Sequence, residues 1–148
     1  MDSSFFLEGM LPMTWHRDPT GPGIYNLNSM YSAQLLDHFQ NPRNVGDVAD
    51  ADAIAQIENP ACGDMLRFSL KMNSGRIAEI RFKAKGCVPS MACASALTEL
   101  VAGQTLEEAR SLRREMLIAA VDGLPQASTH AAQLALDTLA AALRQVKP

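Results

Sequence analysis

Two cysteines, an aspartate and a histidine stand at breaks in the sequence pattern rather than inside its regular elements. Cys62 and Asp64 lie in one loop, Cys87 precedes a predicted helix, and His130 lies in the first turn of the last predicted helix. Thiolate, carboxylate and imidazole are the donor groups that bind zinc or ferrous iron. If these loops meet at one end of a sheet, the four side chains form one metal site. The sequence contains no C-x-x-C pair, so the cysteine spacing alone is a weak signal.

The position of Cys87 predicts a reactive thiol. The partial positive charge of a helix N-terminus favours thiolate, and Lys83 and Lys85 act in the same direction. A thiolate near His130 is also the arrangement of a Cys/His hydrolase. That reaction needs an orienting group and an oxyanion hole, and no motif for either is visible. The sequence therefore favours a binding protein over an enzyme.

Several other polar residues have an ordinary structural interpretation. Cys93 lies four residues before Leu97 on an apolar helix face, so it is predicted to be a core residue. His16 and His38 are predicted to lie at the surface. The three basic residues of one strand are expected to form a solvated face, namely Arg81, Lys83 and Lys85.

The composition is that of one globular domain. The chain has 148 residues and a net charge of -3, which argues against binding to nucleic acid or to an anionic membrane surface. Its three cysteines cannot form a fully paired disulfide framework. We therefore expect free thiols, a reducing compartment and a cytoplasmic location.

Residues 1–29 differ from the rest of the chain. They contain a Pro/Gly cluster at 19–23, carry a side-chain charge of -2 and lack the pattern of a signal peptide. We expect a poorly ordered extension ahead of a domain at 30–148. The alternative is a partner-binding arm that uses its large apolar side chains, which are Phe5, Phe6, Leu7 and Trp15.

Hydrophobic periodicity predicts an α+β fold. A helix is expected within 31–40, strands at 53–58, 66–72 and 78–83, and helices after Cys87, after Thr105, over 114–121 and over 128–145. Asn73-Ser74-Gly75 predicts a hairpin turn between the last two strands. Since the strands come first and the helices follow, we expect a small three-stranded antiparallel sheet with helices packed on one side.

Three segments resemble a known family. DHFQNPRNVG at 37–46, PACGD at 60–64 and RFKAKGC at 81–87 are similar to segments of the U-type iron–sulfur cluster assembly scaffolds, the IscU/NifU N-terminal family. The resemblance extends over about residues 30–147. It implies the same α+β fold.

The resemblance also implies a function. Such scaffolds receive sulfur from a cysteine desulfurase, bind iron, build a [2Fe-2S] cluster and pass it to apo iron–sulfur proteins. By position, Cys62 and Cys87 match two of the three cluster ligands. Asp64 matches the aspartate that tunes cluster lability, and His130 matches the histidine beside the third cysteine.

The sequence departs from the family pattern at its final loop. Ala131 stands where the family has its third cysteine. Residues 124–128 have the sequence LPQAS, where the family has the segment LPPVK that its chaperone partner recognises. These changes argue against a full three-cysteine cluster, against sulfur delivery to the last cysteine, and against chaperone-driven release. The sequence thus leaves open a scaffold that holds iron, zinc or a labile [2Fe-2S] cluster, and a divergent paralogue that binds metal or docks to the assembly machinery without building clusters. Ligation by Cys93 in place of the missing cysteine would need a rotated or shortened helix.

Overall fold

The structure is a computed structural model that describes residues 31–59 and 63–146. Its elements follow the order α1 (Ala33–Gln40), β1 (Ala53–Asn59), β2 (Asp64–Asn73), β3 (Arg76–Lys85), α2 (Val88–Val101), α3 (Leu106–Arg110), α4 (Arg114–Ala120), a 3-10 turn (Gln126–Ser128) and α5 (Thr129–Leu143). The predicted extension at 1–29 and the site residue Cys62 lie outside the described residues.

The three strands form one antiparallel sheet in the order β1-β2-β3. Strict alternation in β2 directs Leu66, Phe68 and Leu70 into the core, where each is at most 1% exposed. Ser74 and Gly75 form the predicted turn between β2 and β3, and both adopt positive φ angles. The sheet thereby places the start of β2 beside the end of β3, with Met65 paired to Lys85.

Helices α2 and α5 pack on the sheet, as the predicted fold class requires. Every residue of α2 from Pro89 to Thr98 is buried, because α1, α4 and α5 surround the side that the sheet does not cover. Alanines on α5 allow its close approach to α2 and the sheet. A helix buried on all sides has an almost uniform apolar pattern, so α2 gives little sequence signal about which face points where.

The helix boundaries follow from local chemistry. The Ser32 hydroxyl accepts a hydrogen bond from the backbone N–H of Leu35 and caps α1. Thr105 and Glu108 form the predicted capping box of α3. Gly103, with φ of +83°, follows α2 where the sequence predicts its end.

The outer edge of β1 is partly closed by a side chain from beyond α5. The amide of Gln145 accepts a hydrogen bond from the N–H of Ile54 at 3.1 Å and donates one to its carbonyl at 2.6 Å. The Gln145 amide thus occupies the position that a neighbouring strand would take. Among the described residues, no helix is long and apolar enough to span a membrane.

Candidate metal centre

Asp64 is the buried centre of the site. It is the first residue of β2 and is 1% exposed. Its Oδ1 accepts the backbone N–H of Cys87 at 3.0 Å, and its Oδ2 accepts the Ser90 hydroxyl at 2.6 Å. A buried carboxylate needs such donors, because burying an uncompensated charge is costly. These hydrogen bonds fix the carboxylate against the N-terminus of α2.

The close approach of Asp64 to α2 depends on Gly86. This glycine joins β3 to α2 with φ of +145°. A Cβ atom added there would lie 2.1 Å from Asp64 Oδ1. A residue with a side chain would therefore meet both backbone strain and a steric clash.

Cys87 occupies the N-cap position of α2 without a capping hydrogen bond from its side chain, and its thiol faces the same carboxylate. Its Sγ lies 3.2 Å from Asp64 Oδ2 and 3.2 Å from Ser90 Oγ. Burial raises the pKa of the Cys87 thiol, and Asp64 raises it further, while the contact with Ser90 lowers it. This direction is opposite to the one predicted from the helix N-terminus and the nearby lysines.

The lysines expected to activate Cys87 are arranged differently from the prediction. Lys83 is 8% exposed, and its Nζ lies 2.8 Å from Asp47 Oδ2. Its charge is therefore matched by that carboxylate. The prediction of a solvated Lys83 is wrong because the loop before β1 folds over β3, where Val45 bridges to Phe82. Lys85 is exposed, as expected.

His130 completes the described cluster from the first turn of α5. Its Nε2 lies 3.7 Å from Asp64 Oδ2, and 41% of its side chain is exposed. Donor atoms of Asp64, Cys87 and His130 all lie within 4.8 Å of one another. One carboxylate, one thiol and one imidazole therefore converge at the edge of the protein, in a geometry that one metal ion can bridge.

The sequence ties Cys62 closely to this cluster. It lies two residues before Asp64, outside the described residues. Gly63, the residue between them, donates its N–H to the carbonyl of Asn59 at 2.7 Å. The role of Cys62 as a ligand stays a prediction.

Comparison with known proteins identifies the family. The family model described as the NifU-like N-terminal domain matches residues 30–147. The chain belongs to this family. An iron–sulfur cluster assembly scaffold protein IscU of Archaeoglobus fulgidus is 42% identical over 114 residues, which are 77% of this chain and 74% of that protein. The scaffold protein IscU of Azotobacter vinelandii is 40% identical over 121 residues, 79% of this chain and 94% of that protein.

A solved structure has the same fold. The N-terminal NifU-like protein of Brucella abortus superposes with a TM-score of 0.66 at 22% identity, and covers 80% of this chain and 95% of that one. The predicted fold class is thereby confirmed.

In this member of the NifU-like family, Cys93 lies outside the cluster of Asp64, Cys87 and His130. Cys93 is fully buried in α2, as predicted, and burial raises the pKa of its thiol to about 12. Ala131, next to His130, is 1% exposed. Its methyl group has no donor atom, so this position contributes packing and no ligation.

Sequence reasoning missed Ser90. This residue is 2% exposed, and its hydroxyl contacts both Asp64 and Cys87. A serine three residues after a cysteine, in the first turn of a helix, could have indicated this contact, because such residues share a helix face.

The prediction for His38 is also wrong. His38 is 8% exposed, with Nδ1 2.8 Å from the hydroxyl of Ser95. It lies on the inner face of α1 with Leu35, and a hydroxyl on α2 compensates its burial. Burial lowers the pKa of its imidazole. His16 lies outside the described residues.

Proposed function

We propose that this protein is a scaffold on which an iron–sulfur cluster is assembled and from which it passes to acceptor proteins. The observation that carries the proposal is the convergence of donor atoms from Asp64, Cys87 and His130 within 4.8 Å. Relatives named as iron–sulfur cluster assembly scaffolds support the same function. The cluster is cargo of the protein, so no catalytic residue is assigned.

The donor set suits a weakly held cargo. We assign Cys62 and Cys87 as sulfur ligands, and Asp64 and His130 as oxygen and nitrogen ligands. Iron–sulfur clusters with mixed cysteine and histidine ligation are known, although most are held by four cysteines. A [2Fe-2S] cluster with two cysteine ligands should dissociate more readily than one with four. Iron or zinc alone can occupy the same ligands as a tetrahedral ion.

Burial of the site favours binding of a cation over an empty state. The Asp64 carboxylate is 1% exposed, and the Cys87 thiol donates to it. A metal ion displaces the thiol proton and takes its place beside the carboxylate, since metal ligands bind in their deprotonated forms. The 41% exposure of His130 provides the side from which cargo can enter and leave.

The proposed partners follow from this cargo. A cysteine desulfurase supplies the sulfur, ferrous iron supplies the metal, and apo iron–sulfur proteins accept the product. Free thiol ligands require a reducing compartment, for which we propose the cytoplasm.

A second function is favoured by one observation. Ala131 is buried next to His130 and offers no ligand atom. A divergent paralogue with this change would bind a metal ion, or dock to the assembly machinery, without building clusters.

Anaerobic reconstitution separates the two functions. The full chain is incubated with ferrous iron, cysteine, a reductant and a cysteine desulfurase, and visible absorbance, iron and acid-labile sulfide are then measured. A scaffold acquires cluster absorbance with equal amounts of iron and sulfide, and transfers both to an apo ferredoxin. The Cys87→Ala variant should acquire neither the cluster absorbance nor bound iron and sulfide, whereas Cys93→Ala should behave as the parent protein.

The opposite result supports the paralogue. If cluster absorbance never appears while zinc binds at one ion per chain, the scaffold function is wrong and the metal-binding function stands. If neither the cluster nor zinc binds, the scaffold function and the metal-binding form of the second function are both wrong, and only docking to the assembly machinery is left.

A further inference from the structure

A basic groove lies away from the metal centre, between the α3–α4 corner and α5. Its volume is about 630 Å³. Its apolar lining includes two partly exposed leucines, Leu112 and Leu136, above the buried Leu139 and Leu143. Four exposed arginines line it, and these are Arg110, Arg113, Arg114 and Arg144.

The four arginines have no partners within the groove. Among residues 31–59 and 63–146, none of their guanidinium groups forms a hydrogen bond or an ion pair. Two acidic residues line the same groove, namely Glu115 and Asp137. Asp137 instead accepts a hydrogen bond from Gln133 at 2.8 Å. The groove thus combines an apolar lining with an excess of positive charge, which suits a segment that is both apolar and acidic.

We propose that residues 1–15 of the same chain bind in this groove. This segment contains Asp2 and Glu8 and no lysine or arginine. Eight of its residues are large and apolar, namely Met1, Phe5, Phe6, Leu7, Met10, Leu11, Met13 and Trp15. Its carboxylates pair with the groove arginines, and its aromatic side chains cover the exposed parts of Leu112 and Leu136. This inference goes beyond the metal-binding function and does not depend on it.

The position of Tyr31 supports binding within one chain. The described structure begins there, and the next residue, Ser32, donates a hydrogen bond to the carbonyl of Val121, directly after α4. The groove begins at the other end of α4, roughly 10 Å away for a helix of this length. A tether of 15 residues, 16–30, spans that distance easily. Such tethering gives an effective concentration on the order of 1 mM, so weak contacts suffice to hold residues 1–15 in the groove.

The single tryptophan makes the test direct. Trp15 is the only tryptophan of the chain, so its fluorescence reports on this segment alone. Acrylamide quenching is measured for the full chain, for a synthetic peptide of residues 1–20, and for the double variant Arg113→Gln/Arg144→Gln. The matched control is Arg67→Gln/Lys71→Gln, which removes two charges on β2 outside the groove. Far-UV circular dichroism verifies that both variants are folded.

We expect Trp15 of the full chain to be protected from acrylamide relative to the peptide. Neutralising the groove should raise the ratio of exposed to bound Trp15 by about 1.4- to fivefold for each arginine, the range measured for exposed charge pairs. High salt should have the same effect, and the control should not. If Trp15 is quenched equally in the full chain and the peptide, or if groove and control variants behave alike, the proposal is overturned.

A second measurement identifies the occupant. With photoreactive benzoylphenylalanine in place of Phe6, irradiation should link residue 6 to a groove peptide within one chain. Mass spectrometry reads the linked position. A link to another surface overturns the proposal, and so does a covalent dimer, which would place the segment in the groove of a second copy.

Discussion

The backbone N–H of Cys87 donates to one oxygen of Asp64 at 3.0 Å, and the Sγ of the same cysteine lies 3.2 Å from the other oxygen. The first contact fixes the carboxylate at the end of α2. The second leaves Oδ2 facing the thiol, the Ser90 hydroxyl and His130. Any cation entering the site therefore meets a carboxylate whose orientation is already set.

Removing Cys87 and removing Cys93 should have different effects. Cys87→Ala should abolish binding of cobalt(II), used as a spectroscopic substitute for zinc, because the sulfur ligand is lost. Cys93→Ala should leave the stoichiometry unchanged and lower the free energy of unfolding by about 1 kcal/mol, since it removes one buried atom from the core. Charge-transfer absorbance and urea unfolding measure the two effects. Loss of the metal from Cys93→Ala alone would refute the ligand assignment.

Ser90 should orient Asp64 without contacting the metal. Ser90→Ala removes the hydroxyl that Oδ2 accepts at 2.6 Å, and we expect metal affinity to fall about 10- to 100-fold, as for other groups that orient ligands. Ser95→Ala is the matched control, because it removes a buried hydroxyl of the same helix that contacts His38 instead. Competition with a chelator measures the affinity, and unfolding measures the stability of each variant. Equal affinities for the two variants would assign Ser90 a purely structural role.

Gly86→Ala should destabilise the protein more than a glycine substitution in open space. Its Cβ would approach Asp64 Oδ1 to 2.1 Å, and its φ of +145° is unfavourable for alanine. Strain and overpacking together should cost about 2–5 kcal/mol. Gly75→Ala, at φ of +77° with no atom within 4 Å, should cost only about 1–2 kcal/mol. Thermal unfolding compares the two, and similar losses would mean that the loop relaxes away from Asp64.

Stability should fall as the pH drops below about 7, and His38 should be the cause. Burial lowers the pKa of its imidazole in the folded state, from 6.5. Arg43 lowers this pKa further, while Glu99 and Asp37 oppose it. The unfolded chain therefore binds the proton more tightly, and the loss begins as the pH falls through 6.5. It amounts to at most about 1.4 kcal/mol per pH unit for one proton.

Urea unfolding between about pH 5.5 and 7.5 tests this, since carboxylates titrate at lower pH. His38→Gln should flatten the dependence while retaining a partner for the Ser95 hydroxyl. An unchanged pH dependence in His38→Gln would show that another group is responsible.

Local sequence patterns were sufficient to predict the elements of the fold. The alternation at Leu66, Phe68 and Leu70 predicts β2, and the Thr105–Glu108 spacing predicts the cap of α3. Both signals depend on neighbours within a few residues. The sequence predicts the convergence of Asp64, Cys87 and His130 only on the condition that their loops meet at one end of the sheet. The pairing of Met65 with Lys85 brings Asp64 and Cys87 together, and the packing of α5 on the sheet brings His130 to them.

The errors arise from contacts between residues distant in sequence. His38 is compensated by Ser95, which lies 57 residues later. Lys83 is covered by the loop that carries Asp47. The pKa of Cys87 depends on how deeply Asp64 and Ser90 enclose it, and a helix N-terminus does not override that burial. Periodicity reports which face of an element is apolar, and it carries no information about the polar partner on another element.

The two hydrogen bonds between the Gln145 side-chain amide and the backbone of Ile54 have a consequence for self-association. An uncovered strand edge is a template on which another polypeptide can extend the sheet, the first step toward aggregates. Here an incoming strand would have to displace both amide hydrogen bonds before it could pair with Ile54. The residues after α5 thus protect the start of β1 against intermolecular sheet growth.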